Sequence, residues 1–261
     1  MLAPYPQLVR AGYRRHASYW QASLGGVTAN VVFGLLRGAI LIAVLAQRGS
    51  VAGYDTAVAV TYVWLGQGLI GVVLLWGDTE LSQRIRTGDV VIDLSRPWNL
   101  QAAMPATDLG RAGHAIGARL LPPMAFGALF FPLRWPEHPI TWILIAAAVP
   151  LAVTVSFSIR FLLNASAFWL LDARGALAVW GATSGVLGGL VLPLSWYPSW
   201  ARAVLAWTPF PALFQFPIDV FTERGDAFTL ITKQLVWAAL LLAAGQVVLA
   251  RGTRRLVVQG G

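Results

Sequence analysis

The chain has 261 residues, of which 57% are apolar and 11% are charged, and its mean hydropathy is +0.65. A soluble domain carries about 25% charged residues, so this composition excludes an ordinary soluble protein. Nineteen basic residues against eleven acidic ones give a net charge of +8. The basic residues interrupt apolar runs instead of forming one patch, which argues against nucleic acid as a partner.

Several classes of catalytic site are absent from the sequence. The chain has no Cys and only three His, which excludes thiol nucleophiles and argues against a zinc centre. Its single Lys, Lys233, follows a Thr and not a Gly, so the chain has no phosphate-binding loop of the Walker A type. We therefore expect no catalytic residue, no resident metal and no cofactor in this chain.

The N-terminal region, residues 1–23, is predicted to be an amphipathic helix lying at the membrane surface. Tyr5, Leu8 and Val9 share one helical face, and Arg14 and Arg15 lie away from its centre. Aromatic residues near its end are typical of the headgroup region, because their rings have an apolar body and a polar edge.

The remaining chain divides into apolar runs of about 20 residues, the length that crosses a bilayer as a helix. We predict a transmembrane domain over residues 24–250, and the six predicted spans are 24–46, 56–77, 112–133, 140–163, 176–194 and 228–250. The Pro122 and Pro123 pair predicts a broken or kinked third helix.

Three segments lie between or after these spans. Residues 78–111 are the longest polar stretch and are predicted to lie in water on the cytoplasmic side. Residues 195–227 contain too many prolines for a single span and too many aromatic residues for a solvated loop, which favours an outer re-entrant or interfacial segment. Residues 251–261 are predicted to be a cytoplasmic tail.

The distribution of Arg predicts the orientation. With six spans and an inner N-terminus, thirteen of the basic residues fall in inner segments and four in outer segments, while Arg37 and Lys233 lie within or near spans. Cytoplasmic loops are enriched in basic residues. Both termini are therefore predicted to be cytoplasmic, in a multi-pass protein of the bacterial cytoplasmic membrane.

Residues 86–97 are the most informative part of the polar stretch. Val90, Val91, Ile92 and Leu94 stand next to paired opposite charges, and Gly88 permits a turn before them. A solvated linker has no need of these apolar side chains, whereas a protein-docking surface combines apolar anchors with a charged rim. We interpret this segment as a docking surface.

The pattern R-x-G-x-x-x-x-D-L-x-R-P in this segment resembles permease subunits of ABC-2 type exporters, including the viologen-exporter-like branch. The likeness extends to Ala167-Phe168-Trp169, to Pro193-Leu194 and to Pro209-Phe210 before the sixth span. The resemblance implies an all-α membrane protein with six transmembrane helices, an N-terminal amphipathic helix and the type V exporter architecture.

The resemblance also implies partners. The chain would pair with a second permease, as a homodimer or a heterodimer, and couple to two copies of an ABC ATPase that bind ATP and Mg²⁺. It would export a hydrophobic or amphiphilic, drug-like or lipid-like substrate. The residues implied to contact the ATPase are Glu80, Arg84, Arg86, Gly88, Asp89, Asp93, Leu94, Arg96 and Pro97.

Arg37 is the candidate for the substrate path, because a charge within a span is costly in lipid and faces a partner or a watery path. Two other functions remain open. A polytopic enzyme acting on lipid would use the acids Asp78, Glu80, Asp89 and Asp93 with a divalent cation. An ATP-independent channel or structural subunit would tolerate disruption of residues 86–97.

Overall fold

The structure is a computed structural model that describes residues 4–170 and 172–259, with side chains through Arg255. Over these residues it is helical and contains no named strand, which confirms the all-α class. The α-helices are α1 Pro4–Ala17, α2 Trp20–Arg48, α3 Thr56–Val72, α4 Glu80–Thr87, α5 Val90–Leu94, α6 Leu100–Ala115, α7 Leu121–Phe130, α8 Pro139–Ala165, α9 Arg174–Leu187, α10 Ser199–Leu205, α11 Gln215–Phe221 and α12 Ala227–Gln259.

Helix α3 is the centre of the bundle. Thirteen of its seventeen residues are buried, among α2, α6, α7 and α11. Asp55 caps its first turn by accepting a hydrogen bond from the backbone N–H of Val58 at 2.8 Å. A helix that is apolar on all sides is suited to a protein interior or a bilayer, and α3 occupies the interior.

Three helices in the described chain are long and apolar enough to cross a membrane, namely Trp20–Arg48, Pro139–Phe168 and Ala227–Arg255. At 1.5 Å per residue, the 29 residues of α2 extend about 43 Å, which exceeds the hydrocarbon core of a bilayer. Helix α3 is apolar but shorter. The count of six spans remains a prediction.

The predicted third span is part of a longer helical segment. Helix α6 begins at Leu100, well before the predicted start at residue 112, because Asn99 caps it by accepting from the N–H of Ala102 at 3.1 Å. A π-helical turn, Ile116–Leu120, joins α6 to α7 just before the two prolines. Such turns are a recognised cause of helix bending.

The structure also differs from the prediction in the region of the fifth span. Helix α9 ends at Leu187, seven residues before the predicted end, and at about 21 Å it is shorter than a full crossing. The chain leaves the helix at Gly188 and Gly189, and Gly189 has a φ of 78°, in the left-handed region that favours glycine. Short helices and 3₁₀ turns then fill residues 194–221, as the prolines require.

The predicted tail continues a helix. Helix α12 extends from Ala227 to Gln259, so Arg251, Arg254 and Arg255 lie on its last turns and not in an extended tail. Residues 1–3 of the predicted N-terminal helix and residues 260–261 of the predicted tail lie outside the described residues.

The predicted N-terminal amphipathic region is two helices and not one. Helix α1 ends at Ala17, and Trp20 already begins α2, which contains the first predicted span. Helix α1 packs along α6 at very short range: a Cβ on Gly110 would lie 1.9 Å from the carbonyl oxygen of Val9. The face predicted to contact lipid therefore contacts protein in part.

Candidate functional site

The candidate docking segment is a pair of short helices joined by a glycine turn. Helix α4 ends at Gly88, whose φ of 83° places it in the left-handed conformation, and α5 begins two residues later at Val90. Leu81, Ile85 and Val90 are buried in a cluster with aromatic side chains of α8. These apolar contacts fix the helix pair on the body of the protein.

The opposite side of α5 is exposed. Val91 is 55% exposed and Ile92 is 56% exposed. The exposed residues of the predicted docking motif around them are Arg86, Gly88, Asp89, Arg96 and Pro97. An apolar pair within a polar rim is the arrangement found in protein interfaces. The predicted motif is thus divided: Val90 anchors the segment, and Val91 and Ile92 face outward.

Asp93 connects the two helices. Its carboxylate lies 2.6 Å from the Nε of Arg84 on α4 and 3.9 Å from the Nε of Arg96, and its side chain is 12% exposed. Arg96 also lies over the ring of Trp98, 5.4 Å from its centroid. A carboxylate between two guanidinium groups restricts the rotation of α5 relative to α4.

The remaining predicted residues have local contacts. Glu80 lies 3.6 Å from Arg15 of α1 and 4.0 Å from Arg84, in exposed pairs that add little stability. Asp89 accepts a hydrogen bond from the hydroxyl of Thr87 at 2.7 Å. The structure therefore brings Glu80, Arg84 and Asp93 together.

Sequence reasoning missed a second, buried group of charges behind this segment. Arg160 of α8 pairs with Asp78 and with Asp108 of α6, the latter at 2.8 Å. Arg111 lies 2.5 Å from Asp108. The side chains of Arg160 and Asp108 are only 2% and 10% exposed. We call Asp78, Asp108, Arg111 and Arg160 the charge cluster.

The charge cluster corrects the prediction that residues 78–111 lie wholly in water. Arg111 also donates to the carbonyl oxygens of Gly71 and Val72 at 3.1 and 2.7 Å, which satisfies carbonyls at the end of α3. Two arginines and two aspartates compensate each other, so the cluster is buried without net charge. A signal was present in the sequence: Arg160 interrupts a long apolar run, and such a charge needs a partner.

Asn164 joins the docking segment to α8. Its side-chain amide donates to the carbonyl of Asp78 at 2.9 Å, and its side-chain oxygen accepts from the backbone N–H of Ser82 at 3.1 Å. Asn164 is one helical turn from Arg160 on the same helix. One face of α8 therefore holds both the start of α4 and the charge cluster.

The four acids considered as metal ligands have other partners. Asp78 pairs with Arg160 and Asp93 with Arg84, while Glu80 and Asp89 point to different neighbours. Among the described residues no three His, Asp or Glu side chains come together in a way that suits a metal ion. The geometry therefore gives no support to a lipid-modifying metal site there.

Arg37 lies far from the docking segment in the fold. Its guanidinium donates to the carbonyl oxygen of Leu190, just after α9, at 3.3 Å. The residue is half-buried. This contact gives Arg37 a structural partner where α9 ends.

Comparison with known families identifies the chain. A search of curated proteins found no match. The model of the family described as ABC-2 family transporter protein matches residues 35–260, which is most of the chain and includes both the docking segment and the charge cluster. Together with the apolar helices, this match confirms the resemblance noted from the sequence. The chain belongs to the ABC-2 family of transporter proteins and is a membrane-embedded permease component of an ABC transporter.

Proposed function

We propose that the chain pairs with a second permease, identical or related, and that two ATPase subunits dock on residues 80–97 to drive export of a hydrophobic or amphiphilic substrate. The observation that carries the proposal is the exposed pair Val91 and Ile92. They lie on helix α5, whose opposite side packs through Val90 against the body of the protein. Membership of the ABC-2 family supplies the class of partner. No ATP-binding loop is present in this chain, so ATP and Mg²⁺ belong to the partner.

A chain of contacts leads from the docking segment into the bundle. Asp93 and Arg84 make α4 and α5 one unit, Asn164 ties the start of α4 to α8, and Arg160 ties α8 to α6. A displacement of the docking segment on ATP binding would therefore move α4, α5, α6 and α8 together. Rigid-body rearrangement of this kind is a common way to convert closure of one protein into a switch in another.

The orientation supports this arrangement. The surplus of Arg in the predicted inner segments supports a cytoplasmic position for the docking segment and both termini, on the side where ATP is available. The bacterial cytoplasmic membrane is the corresponding location. Arg37 is proposed to border the substrate path, because its hydrogen bond to Leu190 uses one of the five N–H donors of a guanidinium group.

The first experiment tests the docking surface. The tagged chain is purified from its native membrane in mild detergent, and its partners and ATPase activity are measured. The double variant Val91→Asp with Ile92→Asp is expected to lose the ATPase subunit, because two carboxylates replace the apolar centre of the interface. Ser95→Asp is the matched control, since it adds a charge at an exposed position of the same segment.

A second variant separates docking from coupling. Asp93→Arg places three like charges together, so we expect it to abolish ATP-dependent export while the protein still inserts into the membrane. Reversal of the pair, Arg84→Asp with Asp93→Arg, is expected to restore part of the export. Full export by Asp93→Arg would overturn the coupling role. A chain that purifies without any nucleotide-hydrolysing partner would instead favour the lipid enzyme or the channel.

A further inference from the structure

A cavity of about 390 Å³ lies at the end of the bundle opposite the docking segment. Its walls come from the loop before α3, the segment before α10, α10 itself, α11 and the start of α12. Tyr54 lines this cavity two residues before the start of α3 at Thr56, and at the other end of α3 the carbonyl oxygen of Val72 accepts a hydrogen bond from Arg111 of the charge cluster. The volume of the cavity falls in the range of small-molecule sites, about 300–1,000 Å³.

The inner wall of the cavity is polar and internally bonded. The amide of Gln215 donates to the hydroxyl of Tyr54 at 3.1 Å and to the carboxylate of Asp219 at 2.9 Å. Arg224 lies 4.0 Å from Asp219, donates to the carbonyl of Ala52 at 3.0 Å and lies over the ring of Tyr54. Asp219 and Arg224 therefore balance each other, and this wall is fixed before any ligand arrives.

Two further cations line the cavity without such a balance. Arg202 of α10 and Lys233 of α12 are exposed, and neither has an ion pair within the described part of the chain. Between them the walls are apolar, from Leu205, Phe216 and Leu230. With Asp219 and Arg224 neutralised, the cavity has a surplus of two positive charges beside an apolar surface.

We propose that this cavity binds the phosphate headgroup of an anionic phospholipid, with the apolar walls contacting the glycerol and the upper acyl chain. Arg202 and Lys233 would donate charge-assisted hydrogen bonds to the phosphate oxygens. Apolar walls favour a phosphate attached to an apolar body over free phosphate. The proposal requires no ATPase partner, so it stands or fails independently of the proposed function.

The test uses the purified full chain in detergent and follows its melting temperature against added lipid. Phosphatidylglycerol is expected to stabilise the protein, and phosphatidylcholine with the same acyl chains to have a much smaller effect. In the double variant Arg202→Gln with Lys233→Gln, the half-maximal lipid concentration is expected to rise by at least about tenfold, because two charge-assisted hydrogen bonds are lost. The variant should fold, since both side chains are exposed.

Two controls decide whether the cavity is responsible. Arg48→Gln with Arg134→Gln removes two positive charges from exposed residues, at the same end of the bundle but outside the cavity lining, and is expected to respond as the unaltered chain. Ala206→Trp fills the cavity without a change in charge and is expected to abolish the response. Equal losses in the two double variants, or an intact response in Ala206→Trp, would overturn the site. Stabilisation by inorganic phosphate at the same concentration would overturn the lipid as its ligand.

Discussion

The two ends of the bundle are held together by different interactions. At the end with the docking segment, Arg160, Asp78, Asp108 and Arg111 form buried ion pairs between helices. At the opposite end, aromatic rings make the main contacts: Tyr54 lies edge-on to Tyr62 and to Trp196, and Trp135 stacks on Trp142. Hydrogen-bonded ion pairs require close contact at about 2.7–2.9 Å, whereas aromatic pairs are favourable over a wider range of centroid separations, about 4.5–7 Å.

This difference fits the roles proposed for the two ends. The end that receives a movement from the ATPase gains from contacts that keep α4, α6 and α8 in register. The opposite end must accommodate a ligand and a lipid surface, and amphipathic Trp and Tyr side chains are suited to that boundary. Two of these aromatic side chains also donate hydrogen bonds to backbone carbonyls, from Trp196 to Val51 at 3.2 Å and from Tyr197 to Val186 at 2.8 Å.

The largest effect is expected from breaking the charge cluster. Arg160→Met leaves Asp78 and Asp108 buried beside each other without their shared partner, at a cost of about 3–5 kcal/mol. We expect a low yield of folded protein and a sharply lowered melting temperature in detergent. Arg174→Met is the matched control, because it breaks an Arg–Asp pair of 2.5 Å that is exposed to solvent and should leave the melting temperature nearly unchanged.

A double variant keeps this prediction testable if the single variant does not fold. Arg160→Met with Asp78→Asn removes one charge of each sign and leaves Asp108 paired with Arg111, so we expect part of the stability to return. A single variant as stable as the control would show that the pairs seen in the structure contribute nothing. It would also remove the physical contrast between the two ends.

A smaller effect is expected where α1 meets α6. A Cβ on Gly110 would lie 1.9 Å from the carbonyl oxygen of Val9, whereas the nearest atom to a Cβ on Gly113 is in the ring of Tyr13 at 3.9 Å. Gly110→Ala is therefore expected to cost about 1–3 kcal/mol through displaced backbone. Gly113→Ala should be neutral or slightly stabilising, because Ala favours helix.

Tryptic cleavage after Arg14 and Arg15 provides the measurement for this pair. Both side chains are exposed on α1, so cleavage should accelerate when α1 leaves α6. We expect faster cleavage in Gly110→Ala than in Gly113→Ala. Identical rates would mean that α1 does not depend on the glycine contact.

The sequence predicted the elements more successfully than their ends. Apolar runs of about 20 residues located the long helices, because burial of a continuous apolar segment requires helix in a membrane. The sequence pattern did not predict that α6 begins at Leu100, inside a polar stretch. Asn99 caps the helix there, and Asp108 and Arg111 pair with each other on the same helix. Polarity alone predicted water there, since a buried ion pair depends on a partner distant in sequence, here Arg160.

The docking motif shows the same limit. Apolar residues beside paired opposite charges indicated a surface, but the pattern did not distinguish Val90, which is fully buried, from Val91, which is 55% exposed. In a helix, adjacent positions differ by about 100°, so one residue decides which side faces the protein. That register depends on packing against α8. Arg37 likewise gained a partner, Leu190, that no local pattern indicated.

The smallest effect concerns Glu223, a charged group at the aromatic end. Its carboxylate accepts from the backbone N–H of His138 at 2.9 Å and from the hydroxyl of Thr141 at 2.7 Å, which satisfies the start of α8. Desolvation opposes ionisation, yet these hydrogen bonds hold the pKa of Glu223 at about 2, below its ordinary value of 4.5. The stability from this site is thus complete above pH 4.5 and is lost as the pH falls towards 2.

Glu223→Gln should therefore lower the melting temperature slightly and by a constant amount above pH 4.5, and the deficit should shrink as the pH falls below that value. The variant is compared in a His138→Gln background, which removes the imidazole ring that lies 3.2 Å from the same carboxylate. Glu137→Gln, which alters only an exposed pair with Arg134, should show no such pH dependence. A deficit that stays constant down to pH 3 would mean that packing, and not the charge of Glu223, holds α8 at this end, as it does for the neighbouring rings.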